Sequence, residues 1–109
     1  MIPYHPKEGD TSKSDITCLT PVDRPPVPRF FPGMEFRYDP KLAGTMATIE
    51  LELNIGSDGK VEEVRVLKTN PPGLEQAAVR AYERADFKPA VKDGKETPCR
   101  LRIVESFSL

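Results

Sequence analysis

The residues of this sequence that could carry chemistry are two cysteines, one histidine and a few carboxylates. Cys18 and Cys99 lie 81 positions apart. Zinc sites instead combine Cys or His ligands about two to five residues apart, so this spacing predicts no metal site. The two thiols either form a disulfide, if the domain folds in an oxidising compartment, or are two unrelated buried side chains. Spacing alone leaves both alternatives open.

An enzyme would need a nucleophile beside a base, and the candidates are Cys18 and His5. His5 lies in a proline-rich stretch, so it could serve Cys18 only if that stretch were ordered. Glu62-Glu63 are neighbours on a predicted strand and point to opposite faces, so they cannot act as a carboxylate pair. Gly56-Ser57-Asp58-Gly59 is too short for a phosphate-binding loop and joins two strands. We therefore predict no catalytic residues, no metal and no cofactor.

Length and charge restrict the classes of function further. The 109 residues suffice for a single domain. Sixteen Lys and Arg against seventeen Asp and Glu give a net charge of −1. This balance excludes a strongly basic surface, so we expect no nucleic-acid partner and no polybasic membrane anchor. No apolar run approaches about 18 residues, so the sequence predicts no membrane span.

Proline divides the chain into a lead and a body. Eight of the twelve prolines lie in residues 1–40. Proline removes amide donors and fixes φ, which is typical of linkers. We therefore predict a Pro-rich, extended or disordered lead over residues 1–28 and a folded domain over residues 29–109.

Two segments near this boundary differ from a plain linker. Ile16 and Leu19 flank Cys18 and could form a short edge strand. Residues 30–42 contain several aromatic side chains, which is more apolar area than a solvated loop usually exposes. We expect this second segment to pack against the body.

The body begins with a predicted β-hairpin. Apolar and polar residues alternate from Ala47 to Ile55, which is the period of a half-buried strand. Gly56-Ser57-Asp58-Gly59 has the residue types of a tight turn. Residues 61–69 then predict the return strand, with Val64 and Val66 facing inward.

A helix and a final strand are predicted after the hairpin. Residues 74–86 have helical spacing, and the helix should stop before Pro89. Its apolar face is rich in alanine, which lets a helix lie close to a sheet. The members of that face are Leu74, Ala77, Ala78, Ala81, Tyr82 and Ala85. The final strand spans Thr97 to Leu109, and we expect a bulge near residues 104–105 because Glu105 interrupts its apolar face.

These elements predict an α+β fold. We expect a small antiparallel sheet of about three strands with one main helix packed on one face, in the order β-β-α-β. Two strands of such a sheet are edges, and an unpaired edge can accept another extended chain. Arg100 and Arg102 on the last strand are then either gatekeepers against aggregation or part of a docking site for a peptide.

Five runs of the body form a pattern by their order and spacing. They are Gly44-Thr45-Met46-Ala47-Thr48-Ile49, Ser57-Asp58-Gly59-Lys60-Val61, Leu74-Glu75-Gln76-Ala77-Ala78-Val79-Arg80-Ala81, Phe87-Lys88-Pro89-Ala90 and Asp93-Gly94-Lys95. Together they resemble the TonB C-terminal domain, and Phe31-Pro32 resembles the Tyr-Pro element of that family. The resemblance covers about residues 25–109. For Arg100 and Arg102, the resemblance favours a docking site for a peptide over gatekeepers against aggregation.

The resemblance implies a periplasmic, non-enzymatic domain of a TonB-like energy transducer. Such proteins join an inner-membrane motor to outer-membrane transporters, and the force opens the transporter for siderophores or vitamin B12. The motor would be reached through a membrane-anchored segment that is absent from this sequence. The partner would be an outer-membrane transporter or another periplasmic protein. The alternative is a structural or sensory interaction module of a periplasmic assembly without energy transduction.

In this family the last long strand pairs with an extended "box" peptide of the transporter. The resemblance therefore implies an open edge whose peptide-binding residues are Thr97, Cys99, Arg100, Leu101, Arg102, Ile103 and Val104, with Phe31 and Pro32 as a secondary contact. A bare edge would also allow two copies to pair, so we expect a weak homodimer that competes with the peptide. A disulfide between Cys18 and Cys99 would staple the lead to this strand, although such a pair is not a general feature of the family.

Overall fold

The computed structural model describes residues 1–4, 13–31 and 33–109. The strands are β1 (Ile2–Tyr4), β2 (Lys13–Cys18), β3 (Val27–Phe30), β4 (Phe36–Tyr38), β5 (Met46–Ile55), β6 (Val61–Asn70), β7 (Asp86–Lys88), β8 (Ala90–Lys92), β9 (Lys95–Thr97) and β10 (Cys99–Ser108). The helices are α1 (Glu75–Glu83) and a 3₁₀ turn over Pro40–Leu42. The main sheet is antiparallel, with strand order β2-β10-β5-β6. Three two-stranded ribbons, β1-β4, β3-β7 and β8-β9, surround it.

The predicted hairpin is confirmed as β5 and β6. Every second side chain of β5 faces the core, and the buried residues are Ala47, Ile49, Leu51, Leu53 and Ile55. In the connecting turn the Asp58 carboxylate accepts a hydrogen bond from the Lys60 backbone N–H, at 3.0 Å. Gly59 has φ of +85° and lies against the backbone carbonyl of Phe87. Only glycine fits this position, because a side chain would meet both an unfavourable φ and a clash.

The helix also lies where the alanine-rich face predicts. Ala78, Ala81 and Tyr82 of the helix are buried, as are Leu74 and Ala85 next to its ends, whereas Ala77 of the predicted face is only half-buried. Arg80, and Arg84 just after the helix, are exposed. The helix ends at Glu83, three residues before the expected end, and Asp86 instead begins β7. The small side chains let α1 cover one face of the sheet at short range, so the coarse α+β architecture is confirmed.

The last strand differs from its prediction in two respects. Pro98 separates it into β9 and β10, and Thr97 of β9 pairs with Ala90 of β8 rather than with the main sheet. No bulge occurs near residues 104–105, because β10 keeps continuous register with β5 from Cys99 to Ser108. Glu105 instead stays on the core face, where its carboxylate accepts a hydrogen bond from the Tyr82 hydroxyl. This partner makes a carboxylate tolerable there.

The first part of the chain requires the main correction. The expectation of about three strands is wrong for the main sheet, since β2 from the Pro-rich lead is its fourth strand. The expected boundary after residue 28 therefore does not separate a free lead from the domain. His5, the base of the alternative enzyme, lies outside the described residues.

The aromatic segment after the lead packs against the body, as expected from its apolar area. Met34 and Tyr38 are buried. Phe36 stacks on Tyr4 with ring centroids 4.8 Å apart, and Tyr4 in turn lies 5.1 Å from the buried ring of Phe107. This cluster covers the end of β10, so it fixes one end of the strand on which the predicted site lies.

Candidate functional site

Six of the seven predicted peptide-binding residues lie on β10, and the seventh, Thr97, lies apart from them on β9. The six are Cys99, Arg100, Leu101, Arg102, Ile103 and Val104. Their side chains alternate, so that Cys99, Leu101 and Ile103 are buried in the core whereas Arg100 and Arg102 are exposed. Any partner that contacts this strand from its edge would therefore meet backbone groups first.

The expected open edge is wrong, because β10 is paired on both sides. It pairs with β5 along one side and with β2 along the other, from Leu101 opposite Cys18 to Ser106 opposite Lys13. The pairing extends past β2, since the Leu19 N–H donates to the Arg100 carbonyl at 2.8 Å and the Arg100 N–H donates to Thr20 Oγ1 at 3.0 Å. The weak homodimer expected from a bare β10 loses its structural basis as well.

The strand β2 confirms the short edge strand predicted around Cys18, and its pairing with β10 is the part that the sequence does not predict. The signal for it is the pair of apolar residues Ile16 and Leu19 that flank Cys18, which indicates a short edge strand. A single exposed isoleucine and a cysteine give a weak hydrophobic pattern, so the pairing partner could not be identified from the sequence.

The structure shows why that pattern is weak. Residues 14–17 of β2 are exposed, and Ile16 retains 45% of its accessible surface whereas Leu101 and Leu53 on the neighbouring strands retain 0%. Apolar burial therefore stabilises β2 far less than β5 or β10. The strand is held mainly by its main-chain hydrogen bonds, each worth about 1 kcal/mol net in water.

A groove of about 240 Å³ runs beside β2 on the helix-covered face of the sheet. Its mainly apolar wall is formed by Ile16, Phe30, Phe31, Tyr82, Phe87 and Ile103. The Phe31 ring packs on the Tyr82 ring with centroids 4.6 Å apart. The structure thus places Phe31, the expected secondary contact, at this groove. Its neighbour Pro32 lies outside the described residues.

One polar pair lies in this groove. Burial raises the pKa of Glu105, and the hydrogen bond from the Tyr82 hydroxyl opposes that shift. Burial also raises the pKa of Tyr82, and the neighbouring Glu105 carboxylate adds to the effect. The tyrosine is therefore a hydrogen-bond donor at any physiological pH, and the Glu105 carboxylate that accepts from it lies in the groove wall.

The opposite face of the same strand pair is polar and solvent-exposed. Arg102 lies opposite Thr17 of β2, and its guanidinium forms an ion pair with Glu50 of β5 at 2.8 Å. Asp15 lies opposite Val104, one diagonal position from Arg102. An edge strand on β10 thus presents alternate residues to an apolar groove and to a face bearing exposed arginines.

The two cysteines meet where β2 ends. Cys18 and Cys99 are free thiols whose sulfurs lie 3.0 Å apart. Burial, and next the hydrogen bond with Cys18, raise the pKa of the Cys99 thiol to about 12. The expected proximity is therefore present, whereas a bond between the sulfurs stays a prediction.

Over residues 1–4, 13–31 and 33–109, no group of three or more His, Cys, Asp or Glu residues is placed to hold a metal ion. Within the same ranges, no helix is long and apolar enough to cross a membrane.

Comparison with known proteins relates this architecture to a family. Curated protein sequences give no match. The model of one family, described as Gram-negative bacterial TonB protein C-terminal, matches residues 38–109. The match includes β5, β6, α1 and β10, leaves β2 outside, and spans about two thirds of the chain. The chain therefore belongs to the Gram-negative bacterial TonB protein C-terminal family.

Proposed function

We propose that this chain is the partner-binding domain of a TonB-like energy transducer, and that an extended peptide of an outer-membrane transporter binds along β10 by taking the place of β2. The family is a non-catalytic interaction domain of the periplasm. The observation that carries the proposal is the exposure of β2, which covers the side of β10 with a strand whose residues 14–17 are exposed and whose Cys18 is only half-buried.

Replacing β2 by a peptide strand on β10 costs little free energy. An incoming peptide restores the main-chain hydrogen bonds that β2 gives up. The free-energy difference between the two pairings therefore depends on the side chains of each strand and on the covalent tether of β2. The intrachain strand has an effective concentration in the millimolar range, because it is tethered to the sheet. A peptide displaces it by filling the groove better than β2 does.

The register of β2 specifies the peptide that fits. A residue at the position of Ile16 would enter the groove against Phe87 and Ile103, so a larger apolar side chain is favoured there. Residues at the positions of Asp15 and Thr17 would face the arginine-bearing side, where an acidic or polar side chain is favoured. The proposed ligand therefore alternates apolar and acidic or polar residues.

Force transmission follows from where the peptide would lie. A strand on β10 is connected through the antiparallel ladder to β5, whose inward side chains are fully buried. Tension on the peptide would load many ladder hydrogen bonds together instead of one contact after another. The sheet would thus act as one rigid body between the transporter and the motor.

Amide-shift titration of the isotope-labelled chain with synthetic box peptides of outer-membrane transporters tests the proposal. We expect shifts along β10 and loss of the native β2 signals, with no response to a scrambled peptide. Arg102→Ala should weaken binding a few-fold, and the loss should shrink at high salt. The matched control is Arg65→Ala on the far strand β6, which should bind like the wild type. Shifts restricted to β6, or no shifts with any box peptide, would refute the proposal.

One observation favours the second function, a structural or sensory interaction module without energy transduction. Since β2 already fills the side of β10, the groove lined by Phe31, Tyr82 and Ile103 is an apolar surface that stays open to a partner. In that case the same titration would shift groove residues while the β2 signals stay native.

A further inference from the structure

We propose that Cys18 and Cys99 are a reversible redox site whose disulfide fastens β2 to β10, so that the oxidation state of the pair governs release of β2. The fastening is a property of the fold. Its consequence for a partner rests on the proposed function, because it assumes that the partner replaces β2.

The position of the pair within the sheet suits this role. Cys18 is the last residue of β2 and lies opposite Leu101, and Cys99 is two residues away on the same face of β10. Their sulfurs are 3.0 Å apart. Bonded sulfurs lie about 2.0 Å apart, so bond formation requires an approach of about 1 Å, within the reach of side-chain rotation.

The pair is also where β2 has its deepest side-chain contact. Residues 14–17 are exposed, whereas Cys18 is half-buried and Cys99 is buried. Without a covalent bond, β2 is held by an exposed ladder of the kind that opens by local fluctuation. A bond at the end of that ladder removes the fully detached state while leaving the strand pairing unchanged.

A reagent can reach the pair from solvent. An open depression of about 430 Å³ is lined by Cys99, with Leu19, Thr20 and Pro98 beside it, and Cys18 lies next to this depression without lining it. Cys18 is the less buried thiol, so it is the one that meets a reagent first. Cys99 is held protonated by its raised pKa and acts second.

The chemistry is thiol–disulfide exchange with a disulfide-bearing oxidant, either a protein or a small molecule. The Cys18 thiolate attacks one sulfur of the oxidant and expels the other as a thiolate. Cys99 loses its proton to water and attacks the Cys18 sulfur of the mixed disulfide, which expels the second thiolate. Cys18 and Cys99 each give up one proton to solvent and the two expelled thiolates each take one up, so the oxidant gains two electrons and leaves as two thiols, on one molecule or on two. A dithiol reductant reverses both steps.

Amide hydrogen exchange on the full chain tests the fastening without any partner. The chain is compared after treatment with oxidised glutathione and after treatment with dithiothreitol, and alkylation followed by mass measurement counts its free thiols. The backbone groups of Arg100 face the β2 side, and those of Arg102 and Val104 face the same way because they follow at intervals of two. Oxidation should slow exchange at Arg102 and Val104 by about tenfold or more.

Internal and external controls separate this effect from general stabilisation. The amides of Leu101 and Ile103 face β5, so their exchange should change much less. Cys18→Ser should exchange like the reduced chain under both treatments. Two free thiols after oxidised glutathione, or equal exchange at Arg102 in both redox states, would overturn the proposal.

A peptide that copies residues 13–20, with serine in place of Cys18, tests the consequence for a partner. Its binding at millimolar concentration, the range of the tethered strand, should be detectable in the reduced chain and at least about tenfold weaker in the oxidised chain. If the peptide binds equally to the reduced and the oxidised chain, or to neither, the disulfide does not control access of a partner to β10. This holds even if amide hydrogen exchange shows that oxidation fastens β2. Slowed exchange without binding of any box peptide would instead refute the proposed function and leave the redox site standing.

Discussion

Replacing Gly59 by alanine should destabilise the fold far more than the same change at Gly44. Both glycines have nearly the same left-handed backbone, with φ of +85° and +84°. A Cβ atom at Gly59 would lie 1.9 Å from the Phe87 carbonyl oxygen, whereas one at Gly44 would meet nothing within 4 Å. Comparing the two variants therefore separates the cost of the steric clash at Gly59 from the cost of the left-handed backbone, which both positions share.

The magnitudes follow from these contacts. Gly44→Ala should cost about 1–2 kcal/mol, the penalty of a left-handed backbone for a residue with a Cβ. Gly59→Ala adds the displacement of Phe87 by more than an ångström. This movement breaks the hydrogen bond from the Phe87 N–H to the Gly59 carbonyl, at 3.0 Å, and loosens a side chain that is 3% exposed. Together with the backbone penalty, these effects should lower the unfolding free energy of Gly59→Ala by about 3–5 kcal/mol.

Urea unfolding followed by circular dichroism measures both losses, provided that the m-value stays unchanged. Thermal melts should agree, with Tm falling roughly 4–8 °C for each kcal/mol in a domain of this size. Equal losses for the two variants would mean that the turn can move away from Phe87 freely. The close approach would then not be what requires glycine at residue 59.

Two further changes test the helix and the polar pair in the groove. Ala81→Leu should cost about 1–3 kcal/mol by overpacking the contact between α1 and the sheet, and Arg80→Leu on the exposed face should be near neutral in the same urea melts. Glu105→Gln keeps an acceptor for Tyr82 but removes the charge of this half-buried side chain. Because folding raises the pKa of Glu105, its protonated form is favoured in the native state, and the wild type should gain stability relative to Glu105→Gln as pH falls from neutral through the raised pKa towards 4.5. A difference in unfolding free energy that is constant with pH would contradict this assignment.

The parts of the fold that sequence patterns predicted are those where one face is buried. The alternation in β5 has its physical cause in five inward side chains that are each at most 1% exposed. The alanine-rich face of α1 can be recognised in the sequence for the same reason, since a helix that packs closely on a sheet admits mainly small residues at the contact. These elements and β10 all lie within the segment that matches the family.

The parts that patterns missed depend on pairing or on a single polar contact. A carboxylate on the apolar face of β10 predicted a bulge, because the Tyr82 hydroxyl that satisfies Glu105 comes from a helix more than twenty residues earlier. No local rule connects those two positions. The break at Pro98 is a milder case, since proline interrupts a ladder wherever its missing N–H is needed.

The weak sequence signal of β2 and its proposed exchange have one physical cause. A strand can be predicted from a sequence when its alternate side chains are apolar and buried. The same burial stabilises the strand against displacement from the sheet. Residues 14–17 are exposed, so β2 is held to β10 mainly through main-chain groups that every residue except proline possesses. Any extended segment can supply those groups. What distinguishes β2 from a competing peptide is therefore its tether, its fit at the position of Ile16, and the thiol of Cys18 beside Cys99.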